Sequence, residues 1–86
     1  MIPPQTKASI ERYVAAHKPT GGFVHAVLSN DLSGAFRRAD EENLANLYDI
    51  VDYCHWEIPG NCWGSPEKVA AWLAQKKEAV THDTTG

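Results

Sequence analysis

Four histidines and two cysteines are the residues of this chain best suited to holding a metal. Cys54 and Cys62 stand eight positions apart with His55 beside the first, and no Cys-x2-Cys or His-x3-His pair accompanies them. A closed tetrahedral zinc site needs four ligands, usually delivered as close pairs. The spacing does not supply them, so both cysteines are expected to be plain buried thiols. Nucleophilic chemistry meets a similar obstacle. Cys54 and His55 are neighbours on a helical segment, so their side chains diverge by about 100° and do not meet. Cys62 sits in a loop near Trp63, and no base is identifiable for it. Ser29, Ser33 and Ser65 are each explained by caps or turns. The acidic run Asp40-Glu41-Glu42 fits a solvated helix start better than general-acid machinery. No catalytic constellation, metal or cofactor is therefore expected.

Two glycine-bearing motifs are harder to explain as surface. In Thr20-Gly21-Gly22-Phe23, two glycines open a helix, where each costs about 1 kcal/mol relative to alanine. A tight turn after Pro19 is one explanation. Close approach of a ligand, with free amides facing an anion, is the other. Cys62-Trp63-Gly64-Ser65-Pro66 is a second helix start with an indole beside it. It reads either as a capped turn whose Trp63 fills the core or as an anion site next to an aromatic platform. The candidate ligand-binding set is Gly21, Gly22, Phe23, Asn30, Asp31, Arg37, Arg38, Trp63, Gly64 and Ser65. In it, phosphates meet the two helix starts, a base stacks on Trp63 or Phe23, and Arg37 or Arg38 adds charge.

The elements that must position these residues read as helices throughout. Pro4 or Thr6 starts a first helix with Ile10, Tyr13, Val14 and His17 on one stripe, ended by His17-Lys18-Pro19. Thr20 is the expected N-cap of a second, with Phe23, Val24, Val27 and Leu28 as its apolar stripe. Asn30-Asp31 breaks it and caps a short third segment weakened by Gly34. Asp40 caps a fourth helix in which Leu44, Leu47, Ile50, Val51 and Cys54 recur at helical spacing. That stripe predicts a buried face centred on Leu47. Ile58-Pro59-Gly60-Asn61 is a turn, and Ser65-Pro66-Glu67 starts the last helix, with Val69, Trp72 and Leu73 on its apolar face. No segment alternates with period two. The fold expected is all-α: a small compact bundle of four to five short helices in a single domain, 1–86, with a lead-in at 1–5 and a frayed polar tail at 81–86.

Composition bounds the function. The 86 residues suffice for one core, and 43% hydrophobic with 22% charged residues is a globular balance. A net charge of −3 argues against a nucleic-acid partner, which calls for a basic stripe. No apolar run approaches the roughly 20 residues of a membrane span. Met1-Ile2-Pro3-Pro4 has no secretion-signal pattern, and two cysteines make no disulfide framework, so a reducing cytoplasm is the expected setting. Eight aromatic residues are many for so small an interior. Phe23, Phe36, Tyr48 and Tyr53 lie on three separate segments, and burying them all alongside three tryptophans is hard, so a homo-oligomer is expected.

With these motifs assembled, the chain resembles a group of short proteins encoded by bacteriophages and prophages. The pattern lies in Arg12-Tyr13-Val14, Pro19-Thr20-Gly21-Gly22-Phe23, and Ala26-Val27-Leu28-Ser29-Asn30-Asp31-Leu32. It continues through Ala35, Arg38-Ala39-Asp40, Asn43, Pro59, Trp63-Gly64-Ser65-Pro66 and Trp72-Leu73, and covers roughly residues 8 to 75. Such proteins mostly carry no assigned activity. The resemblance implies an accessory protein of an infected or lysogenic bacterial host, in a class that includes counter-defence factors. The expected function is non-catalytic binding and sequestration of a small nucleotide-type immune signal. The alternative is an inhibitor or adaptor that binds a host protein directly.

Overall fold

Prolines, glycines and short polar residues set the helix boundaries in this computed structural model, which describes residues 1–85 and, over 76–85, the helical backbone alone. The order is α1 (Pro4–Ala16), α2 (Gly22–Leu28), α3 (Leu32–Arg38), α4 (Glu41–Ala45), α5 (Leu47–Glu57), a 3₁₀ turn (Gly60–Cys62) and α6 (Pro66–Thr85). Among the described residues there is no strand, and the chain is a small all-α bundle. The frayed tail expected at 81–86 lies outside the residues whose side chains are described.

Two boundaries differ from the sequence expectation. Thr20 does not cap α2: its hydroxyl donates to the Gly21 carbonyl at 3.3 Å, and Gly21, in extended conformation, is the N-cap. The segment from Glu41 to Glu57 is also not one helix. It breaks at Asn46 (φ −113°, ψ 17°), whose side-chain amide donates to the Glu42 carbonyl at 2.8 Å. An asparagine side chain that takes a nearby backbone carbonyl offers the chain an alternative to the helical ladder, and here the ladder yields.

The α2–α3 junction follows the sequence closely. Asn30 adopts the left-handed conformation (φ 61°), its amide donates to Val27 at 3.1 Å, and the Asp31 amide donates to Ala26 at 2.8 Å. That pair of bonds is a Schellman closure with asparagine in the position usually held by glycine. Asp31 then caps α3 by accepting the Gly34 amide at 3.0 Å. Glycine suits position 34, because a Cβ there would press on the Asp31 carboxylate that caps the helix. Asp40 caps α4 in the same way, accepting the Asn43 amide at 2.8 Å.

The core centres on α2 rather than on the long central segment. Five of the seven residues of α2 are buried, the pattern of a helix apolar nearly all round. Around it close Ile10 and Tyr13 of α1, Ala35 of α3, Ile50 and Cys54 of α5, and Val69 of α6. Leu47, the expected centre of the buried stripe, is only half-buried, and Leu44 and Val51 are 46% and 40% exposed. The stripe is real, but only its Ile50–Cys54 edge is buried.

Polar bonds fasten the remaining helices. The Tyr13 hydroxyl donates to the Cys62 carbonyl at 2.6 Å inside the core. The Trp72 indole donates to the Tyr13 carbonyl at 2.9 Å, and His17 Nδ1 lies 2.7 Å from the Trp72 carbonyl. A carbonyl only accepts, so Nδ1 carries the proton. The His17 and Trp72 rings also stack at a tilt of 31°, with centroids 4.3 Å apart. This exchange closes the end of α1, where His17 takes the left-handed conformation (φ 57°), against the middle of α6.

Candidate functional site

Two cavities take up part of the candidate set: Asn30, Asp31 and Trp63 line one, and Gly22, Asp31 and Arg38 line the other. The first is a hollow of about 100 Å³ bounded by Ala26 and Val27 of α2, Asn30 and Asp31 of the junction, Leu32 and Ala35 of α3, Leu47 and Val51 of α5, and Trp63. Its walls are apolar except at the Asn30–Asp31 end. The second is a groove of about 480 Å³ lined by Thr20, Gly22, His25, Ala26, Ser29, Asp31, Arg38 and Pro66. It runs between the starts of α2 and α6 and carries most of its polar groups on α2 and α3. Asp31 and Ala26 are common to the two.

The expected single site is thus split. Trp63 is half-buried and belongs to the hollow; Gly22 and Arg38 belong to the groove. Gly21 is an exposed helix cap, and Arg37 is exposed and lines neither cavity. Phe23, expected as a stacking platform, is 8% exposed and part of the core, where no base can reach its face. The Gly64 amide does not face a ligand. It donates to the Leu28 carbonyl at 2.7 Å, closing the end of α2, and Gly64 holds φ 108°, a conformation that favours glycine. The Ser65 hydroxyl accepts the Lys68 amide at 3.1 Å, as an N-cap does. The Trp63-Gly64-Ser65 motif is therefore explained largely by the joint between α2 and α6.

Three features of the region were not singled out from the sequence. The Ser29 hydroxyl is buried without a hydrogen-bond partner among the described residues. His25 is exposed in the groove. Leu32 of α3, 66% exposed, stands at the lip of the hollow. A periodic apolar pattern marks Leu32 as part of a stripe, and nothing in a pattern says whether the stripe is covered.

The thiols are unsuited to nucleophilic or metal chemistry at neutral pH. Cys54 and Cys62 are free and fully buried. Burial, and secondarily the neighbouring Cys62, pushes the Cys54 thiol up to about 12. Burial also raises Cys62, whose thiol donates to the Pro59 carbonyl at 3.1 Å. Thiolate is the reactive and ligating form, and these sites suppress it. Among the described residues, no three of His, Cys, Asp and Glu converge as a metal site would require. No helix there is long and apolar enough to cross a membrane.

No known protein family, curated protein or solved structure matches this chain. The geometry of the hollow and the groove is what remains to support a function.

Proposed function

We propose that this chain is a non-catalytic binding protein whose α3–α5 face docks an amphipathic helix of a partner protein. The observation that carries this reading is the large apolar side chains left exposed on α3 and α5, of which Leu32 and Val51 line the hollow. Leu32 and Phe36 stand one turn apart on α3 at 66% and 51% exposure. Tyr48 and Val51 stand one turn apart on α5 at 80% and 40%. Monomeric proteins rarely leave a large contiguous apolar patch open, and one with a polar rim marks an interaction surface.

The size of the hollow selects the kind of occupant. Sites for drug-sized ligands run from about 300 to 1,000 Å³. A hollow of about 100 Å³ has room for one large aliphatic or aromatic side chain. A helix lying across α3 and α5 supplies such an anchor, and a lysine or arginine one turn away reaches Asp31 at the rim. Nucleotide sequestration finds less support, because Trp63 and the Gly22–Arg38 pair line different cavities. In the setting implied by the resemblance, a phage-encoded factor in a bacterial cytoplasm, the partner is a host protein and the role inhibition or adaptation.

The test is site-specific photocrosslinking from Leu32 and Val51 in host lysate, with the crosslinked segment sequenced. Expected is one protein, attached through an amphipathic helix, lost with Val51→Asp and retained with Glu11→Gln on the exposed face of α1. A partner held equally by Val51→Asp, or a small molecule on this face, overturns the reading. Light scattering on the isolated chain separates the competing occupant. A dimer abolished by Val51→Asp assigns the face to a second copy.

A further inference from the structure

We propose that the groove between the starts of α2 and α6 binds a small singly charged oxyanion, a carboxylate or phosphodiester group, through Arg38 and Ser29. This site is separate from the docking face, sharing only Asp31 and Ala26 with the hollow.

Three observations on the groove converge. Ser29 is 6% exposed, lines the groove, and its hydroxyl oxygen has no hydrogen-bond partner among the described residues. Buried polar atoms are almost always paired, and an orphan costs about 1 to 3 kcal/mol, so its retention in a groove wall points to a partner that arrives with a ligand. Arg38 is the second. Its side chain crosses the start of α2 so closely that a Cβ on Gly22 would lie 3.1 Å from Cδ and 3.3 Å from Nε. Nη1 donates weakly to the Gly34 carbonyl at 3.4 Å, and the other donors of the guanidinium have no partner among the described residues. A planar fork held at one end with its remaining N–H groups unengaged is suited to receiving two oxygens of one anion. The third is the charge balance of the walls.

Asp31 also lines the groove, with one carboxylate oxygen engaged by the Gly34 amide and no ion pair to Arg38. One carboxylate and one guanidinium leave the groove near neutrality. Any bound anion therefore leaves the groove net negative, by about one charge for a singly charged group and by more for a polyphosphate, which is disfavoured the more strongly. His25 and the Thr20 hydroxyl stand in the same walls as further groups for the remainder of the ligand. The glycine at position 22 then has a reason beyond the turn: it is the surface on which Arg38 rests.

The experiment follows backbone amide and arginine Nε–H resonances of the whole chain by NMR during titration with sodium acetate and, separately, sodium dimethyl phosphate. Sodium chloride at matched ionic strength is the control. Expected are saturable shifts at Gly22, Ser29 and the Arg38 side chain with one or both probes, and the stronger probe identifies the natural oxyanion. Arg38→Gln and Ser29→Ala should each weaken binding about tenfold, the loss of a hydrogen bond to a charged group. Ser29→Ala should leave the unfolding midpoint of the free protein unchanged or raise it, since it deletes a buried hydroxyl that has no partner there. Shifts that fail to saturate, shifts matched by chloride, or equal binding by wild type and Ser29→Ala overturn the proposal. The last outcome would make Ser29 a packing residue and Arg38 an ordinary surface charge.

Discussion

The side of the bundle where α1 meets α6 and the side where α3 meets α5 use aromatic residues in opposite ways. At α1–α6 the rings are tied by their polar atoms: Trp72 to the Tyr13 carbonyl, His17 to the Trp72 carbonyl, and Tyr13 to the Cys62 carbonyl, at 2.9, 2.7 and 2.6 Å. At α3–α5, Phe36 and Tyr48 are 51% and 80% exposed. Buried aromatic groups with satisfied polar atoms specify a fold, whereas exposed ones on helices that flank a hollow wait for a surface to complete them. The comparison assigns the first side to stability and the second to binding, and substitutions on the two sides should separate cleanly.

The largest separation lies within α5 itself. Ile50 is fully buried, while Leu47, one turn earlier, lines the open hollow. Ile50→Ala should cost about 2 to 5 kcal/mol in urea unfolding, the range for a fully buried aliphatic residue. Leu47→Ala should cost well under half of that, because much of its side chain already meets water and leaves no closed cavity. Equal losses would show that the hollow is covered in solution, and the division between core and face would fail.

That pair also shows what could be read without coordinates. Local signals carried far: Ser65-Pro66 starts α6, Asp40 caps α4, and Asn30-Asp31 turns the chain between α2 and α3. Each depends on a side chain reaching its own backbone within a few residues. The stripe Leu44–Leu47–Val51 was equally legible as a stripe and misplaced as core. Periodicity says which residues share a face, and only tertiary packing says whether that face is covered. Asn46 also sits mid-pattern, where apolar spacing continues through a break made by one amide. The grouping of the candidate site was illegible for a related reason. Gly64 looks like a ligand donor in sequence, and its bond to the Leu28 carbonyl appears only once α2 and the start of α6 are juxtaposed.

On the α1–α6 side, Tyr13→Phe keeps the ring and removes the hydroxyl, leaving the Cys62 carbonyl without that donor. The expected cost is about 1 to 3 kcal/mol, the penalty for one buried group losing its partner. Phe36→Ser on the opposite side should change stability far less, although it removes more carbon. A reversed order in thermal melts would overturn the assignment of fold and binding to these sides.

Absent at neutral pH, and confined to the core, is the alkaline response. Burial raises the Cys54 thiol to about 12, above the value of about 8.5 for an unfolded thiol. The native state therefore keeps a proton that the unfolded state loses, so stability is full below about pH 8.5 and falls between there and about pH 12. Each such thiol contributes a slope of up to about 1.4 kcal/mol per pH unit. Urea midpoints from pH 7 upward should be flat and then decline, and Cys54→Ala should flatten the decline whatever its offset. An equally steep decline in that variant would place the titration elsewhere.

The smallest stability effect should belong to the substitution with the largest effect on binding. Val51 is 40% exposed, contributes its side chain to the rim of the hollow, and stands between Tyr48 and the buried Cys54 on α5. A carboxylate there stays hydrated in the free protein, so Val51→Asp should shift stability by no more than about 0.5 kcal/mol, as surface substitutions do. In a complex the same carboxylate is forced into an apolar seam without a counter-ion. The desolvation of an unpaired charge costs several kcal/mol, enough to reduce affinity more than a hundredfold. A folded, thermally unchanged Val51→Asp that loses its partner ties binding to this face. If it unfolds, Val51 belongs to the scaffold. If it stays folded and binds normally, the exposed apolar side chains of α3 and α5 have no docking role.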